Sequence, residues 1–175
     1  MSLIDVHAHF LPHRYRDALA TAGIDQPDGF PRVPLWTADD HVAMIDRLGI
    51  EVCLLSVSSP DVQFGEGVTA SDAVALARHV NDVAAETIEQ HRGRFGALAS
   101  LPTADVGESL AEIERALDGL GLDGVNVLTN VDGVYVGDAS LEPIMAELNR
   151  RNAVVFIHPT SPACWECTSL GSRDR

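Results

Sequence analysis

Residues 3–9, Leu3-Ile4-Asp5-Val6-His7-Ala8-His9, close an apolar run and set two imidazoles two residues apart. Read as a β-strand, with its side-chain period of two, the segment puts His7 and His9 on one face. Both rings then emerge at the carboxyl end of the first strand, the end at which a parallel α/β barrel carries its chemistry. The theme returns downstream, where Ala153-Val154-Val155-Phe156-Ile157-His158-Pro159 reads as another strand with histidine at its carboxyl end. Neutral imidazole suits a divalent ion of the zinc type, and a catalytic site keeps three protein ligands plus a position for water. His7, His9 and His158 are therefore candidate metal ligands. The competing reading is a set of polar strand ends hydrogen-bonded to their loops, and for His158 taken alone that ordinary reading is the stronger one.

Further strand signals lie at residues 51–57, 95–101 and 124–129. Helical patterns separate them. Thr37-Ala38-Asp39-Asp40 resembles a capping box and leads to Met44, Ile45 and Leu48, with Gly49 as the stop. Ser71 reads as the cap of a long helix reaching about His91, with Ala73, Leu76, Ala77, Val80, Ala84 and Ile88 at helical spacing. Asp105 opens a third helix and Ser140 a fourth, with Pro143 in its first turn. Residues 10–36 read as one long loop. Strands alternating with helices imply parallel pairing and right-handed crossovers. Two architectures satisfy that order, an open doubly wound sheet and the first half of a (β/α)8 barrel, and periodicity does not separate them.

At 175 residues the chain is long enough for one domain, and a hydrophobic content of 46% with 22% charged residues is ordinary for a globular protein. A net charge of −14 argues against nucleic acid or an anionic membrane as partner. The opening residues lack a basic region followed by a long apolar core, and no stretch approaches the roughly 20 apolar residues of a membrane helix. Three cysteines do not make a disulfide framework. The expected address is cytoplasmic.

Several stretches together resemble the amidohydrolase-related family typified by aminocarboxymuconate semialdehyde decarboxylase. They are Ile4-Asp5-Val6-His7-Ala8-His9-Phe10-Leu11-Pro12, Met44-Ile45-Asp46-Arg47-Leu48-Gly49-Ile50, Asn81-Asp82, and Arg94-Phe95-Gly96-Ala97-Leu98-Ala99-Ser100-Leu101-Pro102. Gly121-Leu122-Asp123-Gly124-Val125-Asn126-Val127 and Ile157-His158-Pro159-Thr160 continue the likeness. The resemblance implies a (β/α)8 TIM-type barrel holding one catalytic metal, Zn2+ or another divalent ion, with His7, His9 and His158 as ligands. It further implies an aspartate from an eighth strand and an acid–base histidine from a sixth. Neither has a counterpart here, so residues 1–175 read as a single incomplete barrel domain with strands six to eight absent. The implied activity is non-oxidative decarboxylation of an aromatic or unsaturated carboxylic acid. Metal-dependent hydrolysis on the same fold, or a non-catalytic fragment with a relic site, are the alternatives.

Two residues are candidates for binding the small-molecule acid. Arg32 stands near where the family can present an arginine to a substrate carboxylate, although an exposed loop arginine is the plainer reading. Phe64, after the second strand, is a candidate substrate wall or an ordinary loop anchor. Cys164-Trp165-Glu166-Cys167 is a C-x-x-C outside any helix-opening context, and His41 reads as a packing residue. Asp5 is expected to share the inward face of His7 and His9. Unpaired apolar strand edges are expected to promote self-association.

Overall fold

The structure, a computed structural model, describes residues 2–27, 31–64 and 68–161. Strands β1 (Ile4–His9), β2 (Val52–Ser56), β3 (Phe95–Ser100), β4 (Gly124–Leu128), a hairpin of β5 (Asn130–Val131) and β6 (Val134–Tyr135), and β7 (Val154–His158) run in chain order. Helices α1 (His13–Thr21), α2 (Ala38–Leu48), α3 (Ala70–Gln90), α4 (Val106–Glu114) and α5 (Glu142–Arg150) lie between them. The main sheet is parallel and ordered β1-β2-β3-β4-β7, with no reversal of direction. Each crossover therefore steps to the next strand on the same side, which is barrel topology and excludes the doubly wound alternative.

The sheet curls. Four strand spacings of about 4.8 Å would hold β1 and β7 about 19 Å apart in a flat sheet. Instead His9 of β1 and His158 of β7 approach to 3.2 Å through their ring nitrogens. Register separates the two faces. Cys53, Leu55, Ala97, Val125 and Val127 join Ile45, Leu76, Val80, Ile113, Ile144 and Leu148 of the helices in one core. Ser56, Ser100 and Asn126 lie on the opposite, concave face, the one that carries the histidines.

Caps explain the helix boundaries. The Thr37 hydroxyl accepts from the Asp40 amide, and Gly49 closes α2 in the left-handed region at φ 69°. In α3 the cap is Thr69, two residues before the expected Ser71, because Thr69 and Asp72 satisfy each other's backbone amides reciprocally. The stretch read as a loop after β1 contains α1. Its entry at Pro12 has no side-chain cap, and its apolar stripe is short, with Tyr15 and Leu19 buried. The strand pattern also does not predict the β5–β6 hairpin, although Asp132-Gly133 is a two-residue turn signal. Its φ values of 50° and 83° are those of the mirror-image turns that match strand twist.

Asp5 departs from expectation as well. The ladder slips between Asp5 and Ala8, so that Asp5 pairs with Cys53 on the helix side while His9 pairs with Ser56 on the concave side. Its carboxylate turns back to accept the His7 amide at 3.0 Å, across the slip. The extra residue of the bulge is what puts Asp5 and the histidines on different faces.

Between α3 and α4, Glu112 is almost wholly buried and is met by a fork of Arg115, at 2.7 and 2.9 Å, and by the Asn81 amide at 2.6 Å. Asn81 also holds both the N–H and the C=O of Ser100, extending the hydrogen bonding of β3 beyond its pairing with β2.

Gly124 sets the approach of β4 to β7. A methyl group there would lie 2.5 Å from the Val154 carbonyl oxygen and 2.9 Å from its Cβ. Backbone cannot yield as a side-chain tip can, so Gly124→Ala is expected to splay β7 and carry His158 with it. We expect a loss of about 2–3 kcal/mol in urea unfolding, accompanied by weaker metal binding. Unchanged values for both would refute this account of the strand contact.

Candidate metal centre

His7, His9 and His158 converge because β1 and β7 are brought together by the curl and both end at the same rim. The Nε2 atoms of His7 and His9 are 3.1 Å apart, those of His9 and His158 3.2 Å, and the three ligand atoms lie within 4.8 Å of one another. Tetrahedral coordination at about 2.0–2.1 Å places neighbouring ligand atoms about 3.3–3.4 Å apart. An octahedral site with slightly longer bonds has nearly the same edge, so the His7–His9 and His9–His158 spacings fit a divalent metal without selecting one.

Hydrogen bonds behind the rings assign their tautomers. His158 donates from Nδ1 to the Pro159 carbonyl at 2.7 Å, and His9 from Nδ1 to the Ser56 carbonyl at 3.3 Å, with the Ser56 hydroxyl at 3.4 Å. Each leaves an Nε2 lone pair aimed at the common point, the arrangement metal-binding histidines use. His158 is buried, His9 half-buried and His7 exposed, so the site opens on the His7 side. Phe156 packs at 5.0 Å from the His7 ring as an apolar floor.

Beside this centre, the loop after β2 is held from several directions. Tyr15 donates to the Ser58 carbonyl, Ser59 and Thr160 share a hydroxyl bond at 2.8 Å, and Gln63 accepts from Thr103 and from the Ala104 amide. The loop walls a cleft of about 380 Å3 whose lining includes Pro60, Phe64, Leu128, Asn130 and Thr160. Phe64 is buried and stands edge-on to Tyr15 at 6.0 Å. Arg32 is exposed in the segment before α2 and is not among the residues lining the cleft. His41 packs as expected, buried, with the Trp36 indole donating to its Nδ1 at 2.9 Å; burial lowers its pKa, against a smaller upward pull from Asp5. Cys164 and Cys167 lie outside the described residues.

Sequence reasoning did not single out Asp61, Ser100 and Asn126. Ser100 and Asn126 are register partners on β3 and β4, both fully buried, and Asp61 of the loop is 6% exposed. Asp61 Oδ1, Ser100 Oγ and Asn126 Oδ1 are buried without a hydrogen-bond partner among the described residues. Burial pushes the Asp61 carboxyl up to about 7, offset in part by the Ser100 hydroxyl and the Val62 amide. The hydroxyl is thus near enough to act on the charge while outside good hydrogen-bond geometry. The only signal in the sequence is a polar residue in each of two otherwise apolar strands, Ser100 at the end of β3 and Asn126 in the middle of β4.

The family model described as Amidohydrolase matches residues 4–173. The 6-methylsalicylic acid decarboxylase acuB of Aspergillus aculeatus is 40% identical over 162 residues, which are 91% of this chain and 48% of that protein. The 2-amino-3-carboxymuconate-6-semialdehyde decarboxylase of Dictyostelium discoideum is 35% identical over 71% of this chain and 34% of its own length. Among solved structures, an amidohydrolase II aligns with TM-score 0.86 and 36% identity over 93% of this chain and 52% of its own. A dihydroxybenzoic acid decarboxylase from Polaromonas sp. JS666, solved with bound manganese and 2-nitroresorcinol, aligns with TM-score 0.75 and 25% identity over 95% and 52%. The chain spans about half the length of the curated relatives it matches. By its matched residues and by the half-barrel sheet they form, the chain belongs to the amidohydrolase family.

Proposed function

We propose that this chain is the metal-holding part of a non-oxidative decarboxylase acting on a small aromatic or unsaturated carboxylic acid. The observation that carries the reading is the convergence of three histidine Nε2 atoms beside a small, partly apolar cleft. The activities of the relatives named above support decarboxylation over hydrolysis. His7, His9 and His158 would hold the ion, Zn2+ or, as in the Polaromonas structure, manganese. A bound divalent ion polarises a coordinated carboxylate and lowers the pKa of a coordinated water. The chain's own part is to orient the acid, with Phe64 as an apolar wall for the ring; Arg32 remains a proposed partner for a carboxylate.

No described helix is long and apolar enough to cross a membrane, and we place the protein in the cytoplasm. Ile4, Val6, Val154 and Ile157, on the two outer strands, are each at least half exposed. We read the 175-residue chain as one incomplete barrel domain, and those edges as the places where further strands or a second copy would pair.

The test is carbon dioxide release from 6-methylsalicylate and from 2,6-dihydroxybenzoate, with sedimentation of the same samples. We expect the 175-residue chain to self-associate and to be silent. A chimera continuing into the carboxyl-terminal half of the Aspergillus aculeatus relative should be monodisperse and active with added metal. A silent but folded, metal-bound chimera would refute the decarboxylase reading, and a monomeric, active 175-residue chain would refute the incompleteness argument.

A further inference from the structure

Three buried oxygens, one on the loop after β2 and two at paired positions of β3 and β4, have no hydrogen-bond partner among the described residues. Asp61 Oδ1, Ser100 Oγ and Asn126 Oδ1 offer three acceptors, yet among these three atoms the Ser100 hydroxyl is the only donor if Asp61 is ionised. An ionised Asp61 would then leave the Asn126 oxygen unpaired beside a negative charge, the costliest arrangement for buried polar groups. One more proton removes the deficit. Carried on Asp61, it makes the carboxyl a donor to Asn126 while the Ser100 hydroxyl donates to Asp61. Asn126 is suited to receive it, because its Nδ2 already donates to the Val57 carbonyl at 3.4 Å and turns its oxygen the other way.

We propose that Asp61 is a positioning residue of the metal centre's wall, which acts as an undissociated carboxylic acid hydrogen-bonded to Asn126 and so fastens the loop bearing Pro60 and Phe64 onto β3 and β4. The environment supports this. The groups acting on Asp61 are the Ser100 hydroxyl of β3 and the Val62 amide of the loop, and no charged side chain is among them; Asn126 of β4 is the register partner of Ser100. The raised carboxyl value, about 7, agrees with the donor count. Asp61 sits at φ 59°, a conformation aspartate and asparagine tolerate better than other side chains, and it turns the chain so that the acid points inward.

The closed loop holds the proton more tightly than the open loop, where the carboxyl returns to its ordinary value near ~3.9. Raising the pH therefore favours opening across the window between that value and about 7, and has no further effect above it. The opening constant should rise about tenfold per pH unit in that window, about 1,000-fold in all, and then level.

Two measurements on the 175-residue chain test the proposal. In the first, infrared difference spectra of wild type minus Asp61→Asn should contain a protonated-carboxyl band at pH 5.5 that titrates away near neutrality. In the second, amide hydrogen exchange over residues 57–64, corrected for intrinsic rates, should follow the predicted slope in wild type and be flat in Asp61→Asn. Asparagine suits the same backbone conformation and carries its donors at every pH. A carboxylate spectrum at pH 5.5, as expected if a single water bridges the three oxygens to an ionised Asp61, overturns the proposal without any variant. Equal pH slopes in the two chains overturn it as well.

Discussion

Replacing His158 by alanine is expected to lower the affinity for a divalent ion by more than about 100-fold, and His9→Ala or His7→Ala should do the same. The reason is geometric. Three Nε2 atoms spaced for one ion act as a chelate, and removing one leaves two ligands and an open coordination sphere. Loss of an outer-shell hydrogen bond alone commonly costs about 10–100-fold, so loss of a ligand should exceed that. His9 and His158 have their Nδ1 protons anchored on backbone carbonyls, whereas His7 has no such anchor among the described residues. Metal uptake should also fall on acidification, because the ligating imidazole is the neutral form. Calorimetric titration with Zn2+ and with Mn2+ should give one site per wild-type chain. Equal uptake by wild type and all three variants would rule the centre out.

The second large effect lies away from the metal. Arg115 forks onto Glu112 and reaches Asp82 at 2.6 Å, tying α4 to α3 over a carboxylate that is 2% exposed. Removing the guanidinium in Arg115→Met leaves that carboxylate with Asn81 and a more distant Arg78 at 3.7 Å. Breaking a buried pair costs about 3–5 kcal/mol because one charge stays buried without its partner. The remaining contacts put our expectation at the lower end, about 3 kcal/mol in urea unfolding. The double variant Arg115→Met/Glu112→Leu should recover most of that loss, since the penalty is uncompensated charge and not lost packing alone. If the single variant is as stable as wild type, or the double variant is worse than the single, the assignment is wrong. The consequence reaches the site, because Asn81 joins Glu112 to the backbone of Ser100.

Much of this protein was legible along the chain because the informative patterns are local. Period-two strands, helical stripes, the Thr37 cap and the Gly49 stop depend on residues a few positions apart, and they placed the five strands of the main sheet and four of the five helices. The histidines could be named as candidates because a strand end is a local feature. The missed helix α1 and the Asp132-Gly133 hairpin carry short signals of the same kind, easily lost between two stronger elements. The face of Asp5 was not available in this way, since a one-residue slip of the ladder is set by pairing with Cys53 and Ser56 on another strand. Neither was the meeting of His9 with His158, which are 149 residues apart and touch only because successive crossovers on one side force the sheet to curl. The group of Asp61, Ser100 and Asn126 is the extreme case. Each is an unremarkable polar residue in sequence, and its chemistry arises only when packing removes the water that would otherwise have satisfied it.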